Sequence, residues 1–524
     1  MCLQRLLDSS LVIYGSNIKA RPRNLAAFAA LLLSATAARA DEGLATFGHV
    51  SEPPSPTPVE AWGPVPTNMT SLANLAPGLL PFFNNAPVFG LPGTVTGNFW
   101  DQTQLTGDWG GVRTEMTQRG LFLDLYSTSG YQDVTSGGLK TGTAFLQNTQ
   151  FSVNFDTGRA GLWPGGLLHF TVQSRYGASP DQTFIVGSYV PQYTAAVLPG
   201  PLLSHDTLPS EYFLVQALNP KFSVILGKIS DIFIPDQTLF GDSYKYWFAN
   251  FNFNKNPMTT NFYNPTALAA LGAWTPTKSL AVVGGVLDPY SQATSLADHA
   301  FRSQNYFVTA IGSYQIQGLP GQFSPSYNWS NQPQIDRGDP FGALSPASVN
   351  QAVGALVGAA PTAGLPVNHQ DASWFAIANL SQYLYVKDDA AAVAEELKSA
   401  QTVRGLGVFA RAGYAPPETN TLTWDASVAL FARGLMDSRP YDAFGVGFYD
   451  NVVSNDLKNS ITRLSRGTAS AADERGIELF YDLAITPAVR LNASYQHIWN
   501  PLTAKVVENQ NNASVFLARL NVAF

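Results

Sequence analysis

The sequence predicts an all-β fold: a transmembrane antiparallel β-barrel of about 16 strands, preceded by a short helix and a Pro-rich segment. Three observations predict it. Only 13% of the residues are charged, while aromatics reach 12%. That composition suits a wall that faces lipid and carries rings at both interfaces. Segments of about ten residues alternate apolar and polar side chains with period two. Finally, the chain opens on what reads as a secretory leader, and no later stretch approaches about 18 consecutive apolar residues. A secreted chain without such a helix spans a membrane only as a closed sheet, because lipid offers no partners to loose backbone groups.

The elements follow in order. Residues 1–40 read as a cleaved signal peptide. Lys19, Arg21 and Arg23 precede an apolar run from Leu25 to Leu33, and Ala38-Arg39-Ala40 fits the small-x-small cleavage pattern before Asp41. The only cysteine, Cys2, falls inside this leader, so the mature chain has no disulfide framework and no thiolate metal site. The leader takes five basic residues (Arg5, Lys19, Arg21, Arg23, Arg39) and Asp8 out of 30 Lys/Arg and 37 Asp/Glu, which leaves a net charge of −11. An acidic chain of this kind argues against nucleic acid as a partner.

Residues 41–97 carry ten prolines and no sustained period. They read as a mostly extended linker. In 98–119, Asp108 is placed to cap a short helix that Gly120 ends.

From residue 120 to 524 the strand period takes over. Leu121, Leu123 and Leu125 oppose Phe122, Asp124 and Tyr126. Leu168, Phe170 and Val172 oppose His169, Thr171, Gln173 and Arg175. Trp424, Ala426, Val428 and Leu430 oppose Asp425, Ser427 and Arg433. Ile477, Leu479 and Tyr481 oppose Glu478, Phe480 and Asp482. Val489, Leu491 and Ala493 oppose Arg490 and Asn492. Phe516, Ala518, Leu520 and Val522 oppose Arg519 and Asn521. The stretches at 157–166 and 219–220 read as tight turns. Those at about 177–210 and 317–370 read as long loops, with helices expected at 345–358 and 390–399. ALAALGAW and the region around Ile311 fit either parity and receive no assignment.

Four stretches together resemble the carbohydrate-selective porins of the OprB type. LTGDWGGVRTEM is similar to that family's opening motif. RGLGVFARAGYAP, GLMDSRPYDAFGVGF and ELFYDLAITPAVRLNASYQHIWNP are similar to its later strands. The resemblance covers most of 98–524. It implies a 16-stranded outer-membrane porin that passes sugars such as glucose by diffusion, without a cofactor. The expected partners are small sugars, outer-membrane lipid and, through a final strand ending on Phe524, the barrel-assembly machinery, with a homotrimer as a candidate assembly.

A sugar that sheds water in a constriction needs replacement hydrogen bonds, which mixed Arg and Asp/Glu side chains supply. The side chains with lumen parity are Asp124, His169, Arg175, Arg411, Asp425, Arg433, Glu478, Asp482, Arg490 and Arg519. Each is weighed against the plainer reading that it only hydrates the wall or pairs across strands. Arg439 and Asp442 read as a structural ion pair at a turn, and Asp108 and Arg113 as anchors of the short helix. The six His show no metal-ligand spacing, and no GxSxG, HExxH or P-loop occurs. The competing readings are an outer-membrane barrel enzyme of lipase type and a secreted, soluble β-rich binding protein.

Overall fold

Alternation of side chains is what closes this sheet. In the computed structural model, β1 (Leu121–Gly137) turns Asp124, Thr128 and Gln132 to one side, all nearly fully buried, and Leu123 and Leu125 to the other. The structure describes residues 97–100, 102–178, 184–194, 205–230, 239–240, 245–262, 266–291, 296–297, 300–339, 368–389 and 403–524. The signal peptide, nearly all of the Pro-rich segment and both helices expected at 345–358 and 390–399 lie outside these residues.

After β1 come β2 (Gly142–Asp156), β3 (Gly166–Gly177), β4 (His205–Asn219), β5 (Phe222–Ile229), β6 (Ala267–Thr277), β7 (Leu280–Leu287), β8 (Asn305–Ile316) and β9 (Leu319–Ser330). Then follow β10 (Gln334–Ile335), β11 (His369–Gln370), β12 (Ser373–Val386), β13 (Gly405–Tyr414), β14 (Leu422–Arg433), β15 (Ala443–Val453), β16 (Glu474–Thr486), β17 (Val489–Trp499) and β18 (Asn512–Ala523). Every barrel strand pairs antiparallel with its neighbours, and β10 and β11 form a separate ribbon, so β9 pairs directly with β12. β1 closes on β18 from Tyr126↔Ala523 to Gly137↔Ala513. The closed barrel therefore holds 16 strands and leaves no free sheet edge.

One end of the barrel carries two-residue connections at 220–221, 278–279, 317–318 and 487–488; the other carries the long ones. Two sequence expectations change. The stretch 317–370 is not one loop, because Leu319–Ser330 forms β9. Its prolines hid it. Pro325 lacks an N–H, and the β8–β9 pairing accordingly breaks between Thr309↔Ser326 and Gly312↔Phe323 and resumes in the same register. The short-turn end also carries one long connection, 387–404. ALAALGAW and Ile311 resolve into β6 and β8.

The short helix is Val112–Gln118, and the residue immediately before it is Gly111, at φ 98°. Asp108 still serves it. Its Oδ1 accepts from the Thr114 amide at 2.7 Å and the Thr114 hydroxyl at 2.8 Å, reaching over the intervening 3-10 turn. Arg113 is buried and donates to the carbonyls of Leu123 and Phe524, tying the helix to both seam strands. The expected turn pair is present as well. Arg439 donates twice to Asp442 at 2.9 and 3.0 Å, and Asp442 also accepts from the Ala484 amide.

The outer face is apolar and exposed, with Phe170, Val428, Leu430, Val446, Leu479 and Phe516 each more than 40% accessible. The inner face departs from a uniformly wet wall. On β4 to β8 it carries Phe213, Val215, Ile225, Leu271, Val283 and Phe307, all buried. These join one apolar cluster with Tyr189, Val190, Met258 and Phe262, which come from loops folded inward.

Candidate functional site

The lumen is shaped by two inward-folded connections, described over 184–194 (between β3 and β4) and over 239–240 and 245–262 (between β5 and β6). The second contains WFANFNFNKNP, in which Asn and Phe alternate. Asn250 caps the helical turn Phe251–Asn254 by accepting from the Asn252 amide. Asn256 caps the 3-10 turn Pro257–Asn261 by accepting from Met258. Aromatic rings of this connection go into the wall. Phe240, Trp247, Phe248 and Phe253 form a buried cluster with Phe409, Phe431, Tyr449 and Phe480 of β13 to β16.

Glycines in the wall make room for those rings. A Cβ on Gly447 would stand 2.4 Å from Phe253, one on Gly407 2.3 Å from Phe240, and one on Gly130 2.3 Å from Tyr193 of the first connection. Real carbon atoms do not approach so closely, so the absence of a side chain is what seats each ring.

Polar wall residues then bind the loop backbone. Glu478 accepts from the amides of Ala249 (2.8 Å) and Asn250 (2.9 Å) and from the Ser494 hydroxyl (2.7 Å). Glu474, four residues earlier on the same face, accepts from the amides of Tyr189 (2.8 Å) and Leu502 (2.9 Å) and the hydroxyls of Ser188 and Tyr449. Arg411 donates to the carbonyls of Phe253 (2.7 Å) and Asn254 (3.1 Å). Arg519 donates to the Trp247 carbonyl and to Asn492, and Asn492 donates to the carbonyls of Tyr246 and Trp247. Asp425 accepts from Asn256 at 2.8 Å. Carboxylates thus meet amide N–H groups and guanidinium groups meet carbonyls, which is the pairing a buried loop needs.

The sequence-predicted residues all sit on the inner face, in four settings. Arg411, Asp425, Glu478 and Arg519 hold the loop. Asp482 and Arg490 pair with each other, and Arg490 also donates to the Tyr441 carbonyl at 2.6 Å. Arg433 is half-buried at the end of β14. Asp124, His169 and Arg175 lie apart from these, on β1 and β3. Asp124 accepts from Gln104 at 3.3 Å. His169 lies 2.6 Å from Asn154 Oδ1, 2.7 Å from Thr171 Oγ1 and 3.5 Å from Glu211, with its ring stacked on Phe213. Arg175 is 4% exposed, and its three guanidinium nitrogens have no hydrogen-bond partner.

Parity reasoning over strands did not reach the loop residues. Lys245 stands 4.0 Å over the Tyr126 ring, and burial pulls its amine pKa down to about 8 against the opposing pull of Asp124 and Glu211. The alternating Asn and Phe of 250–256 was the available sign that this connection has a face to bury.

The arrangement is a barrel whose lumen is narrowed by fixed loops. The family model for "Carbohydrate-selective porin, OprB family" matches residues 140–524. The chain is similar to the high-pH structure of Pseudomonas putida OprB, with a TM-score of 0.65 and 18% identity over 82% of this chain and 100% of that one. The low-pH structure of the same protein aligns with a TM-score of 0.47 and 14% identity, over 81% of this chain and 99% of that one. Pseudomonas aeruginosa OccK11 (OpdR) aligns at 0.40 and 8%, over 77% and 96%. No curated protein matches in sequence. With the family model spanning most of the chain and the 16-stranded barrel around it, the chain belongs to the carbohydrate-selective porins of the OprB family, bacterial outer-membrane channels through which sugars diffuse.

Proposed function

We propose that the sugars passed are small and neutral, monosaccharides such as glucose entering the periplasm, and that they move along the inner wall of β2 and β3, across the β1–β18 seam from the loop anchors. One observation carries this. On β13 to β18 the inward charged groups Arg411, Glu474, Glu478 and Arg519 are occupied by loop backbone. On β2 and β3, Gln150 Oε1, Gln173 Oε1 and all three guanidinium nitrogens of Arg175 have no hydrogen-bond partner although they are buried. In the strand register Gln150 faces Gln173, and Asn148 faces Arg175. Buried donors and acceptors without partners cost free energy until water or a polyhydroxy solute supplies them. A neutral sugar offers both donors and acceptors, whereas binding that is too strong would stop release.

Among the ten lumen-parity residues, this assigns direct solute contact to Arg175, with Asp124 and His169 bordering the same wall. The rest act through the loop. Outer-membrane lipid meets the apolar belt. The test is liposome swelling with purified protein, comparing glucose with a charged solute of similar size. Arg175→Ala is expected to change the ratio of the two rates at least twofold. A ratio unchanged in that variant removes Arg175 from the path.

A further inference from the structure

The inward face of β9 is polar without charge along most of its length. Gln322, Ser324, Ser326, Asn328 and Ser330 point inward and are buried, alternating with outward Phe323, Pro325, Tyr327 and Trp329. Toward one end these groups serve one another. The Asn328 amide donates to Ser326 Oγ at 3.2 Å, and the Ser330 hydroxyl donates to Asn305 of β8. Ser324 differs. It is the sixth of the 12 residues of β9, at mid-strand, and its hydroxyl has no hydrogen-bond partner.

Ser324 belongs to a row that crosses four strands. The register sets it beside Asn379 of β12, Asn379 beside Arg411 of β13, and Arg411 beside Ser427 of β14. Asn379 Oδ1 and the Ser427 hydroxyl are likewise buried without a partner. Arg411 leaves the row to hold the loop carbonyls of Phe253 and Asn254. The row coincides with the break in β8–β9 pairing at Pro325, where side chains serve the backbone instead. The Asn379 amide donates to the Ser324 carbonyl at 3.4 Å, and the Thr309 hydroxyl donates to the Pro325 carbonyl at 3.2 Å. Among the described residues, the β5–β6 connection touches β12 on both sides of Asn379. Ser381 accepts from the Leu239 amide at 3.2 Å, and Phe262 packs on Phe375.

We propose that Ser324, Asn379 and Ser427 form a second solute site at mid-depth, one that takes the hydroxyls of a neutral sugar or polyol. It rests on the reading that neutral sugars cross this barrel, and adds a separate wall to it: β12 stands eight strands from β2 in either direction around the ring. Two hydroxyls that donate and accept and one amide oxygen that accepts suit a solute whose own hydroxyls do both. Adjacent strands lie about 4.8 Å apart, so Ser324 and Asn379 are spaced for two hydroxyls of one sugar ring. Buried groups left without partners cost free energy that such a ring returns. An ion finds no opposite charge in these three residues to offset its lost hydration. The β2–β3 wall carries Arg175; this one selects for neutrality.

The test is liposome swelling by the full-length protein carrying Ser324→Ala and Asn379→Ala together, with glucose and with a monoanionic sugar acid of similar size. Both changes remove bulk, so a merely steric role would leave glucose as fast as before or faster. The proposal expects the opposite: glucose slows at least threefold while the sugar acid stays within twofold of wild type. Ser324→Thr, which keeps a hydroxyl, is expected to retain the wild-type ratio, and Ser427→Ala alone to lower glucose entry in the same direction. Should the double variant lose its heat-modifiable gel migration, Ser324→Ala and Ser427→Ala are read singly by the same criterion. Wild type that passes glucose, with variants that pass it equally well or faster, overturns this site and leaves the porin reading standing. Wild type that admits neither solute overturns both.

Discussion

Replacing Glu478 by Ala tests whether the wall carboxylates hold the constriction loop. The side chain is fully buried and accepts three hydrogen bonds, two of them from consecutive loop amides, Ala249 and Asn250. Removing it strands both amides. An unsatisfied buried donor costs about 1–3 kcal/mol, so the loop loses on the order of 4 kcal/mol of attachment. The barrel ladder on either side of residue 478 is backbone-paired with β15 and β17 and does not depend on the carboxylate. The damage should therefore stay in the loop. Heat-modifiable gel migration of the variant should match wild type, while limited proteolysis should cut within 239–262 at least tenfold faster. Liposome swelling should show disaccharides gaining on monosaccharides. Glu478→Gln keeps one acceptor and should fall between the two. If Glu478→Ala leaves both the proteolysis rate and the sugar-size profile unchanged, the loop is held by something other than the contacts described above.

Gly447→Ala attacks the same loop from the ring side: its Cβ would meet Phe253 at 2.4 Å. It should reproduce the swelling profile of Glu478→Ala with the carboxylate intact. Lys245 gives a pH signature. Its folded pKa of about 8 lies below the ordinary 10.5, so between those values the unfolded chain binds more protons and stability rises with pH. Over the same window a charge leaves the lumen, so the cation-to-anion permeability ratio, read as a reversal potential, should rise from pH 7 to 9 in wild type and stay flat in Lys245→Met. Arg113→Ala removes a buried guanidinium that donates to Gln104, Leu123 and Phe524 across the seam. It should lower stability by about 3 kcal/mol, seen as a drop in the temperature at which the protein loses its compact gel migration.

How far the sequence foretold this structure depends on the separation of the partners. The strands announced themselves because a residue's direction is set by its neighbours two positions away. Asp124, Glu478 and Arg519 could be placed inside from ten residues of context each. Strand β9 failed the same test because Pro320 and Pro325 read as loop. The ladder absorbs Pro325 by skipping a pairing with β8, which no local pattern reveals. The inward loops were beyond that reach altogether. Ala249 is 229 residues from Glu478, and Trp247 is 272 from Arg519. Which side chains are left for solute depends on those pairings, so parity gave a correct list of inward residues and no way to divide it.

That division bears on how charge should be read in a barrel of this kind. A lumen-facing carboxylate that accepts two amides is already neutralised in part by the positive ends of those peptides. A guanidinium bound to two carbonyls is neutralised in the opposite sense. Glu474, Glu478, Arg411 and Arg519 are all of this type, and Asp482 with Arg490 cancels as a pair. Their contribution to the field along the lumen is therefore smaller than their number suggests. On the proposed reading, the charged groups that act on a passing solute are Arg175 of β3, whose guanidinium has no hydrogen-bond partner, and Lys245 of the β5–β6 connection, beside Asp124 of β1 and Glu211 of β4. That set holds both signs in close proximity, and buried opposite charges attract a neutral hydroxylated ring through its dipoles while favouring neither ion strongly. On that proposal, selectivity for sugar comes from where the loops leave the wall uncovered, and the aromatic seats that fix the loops decide that position.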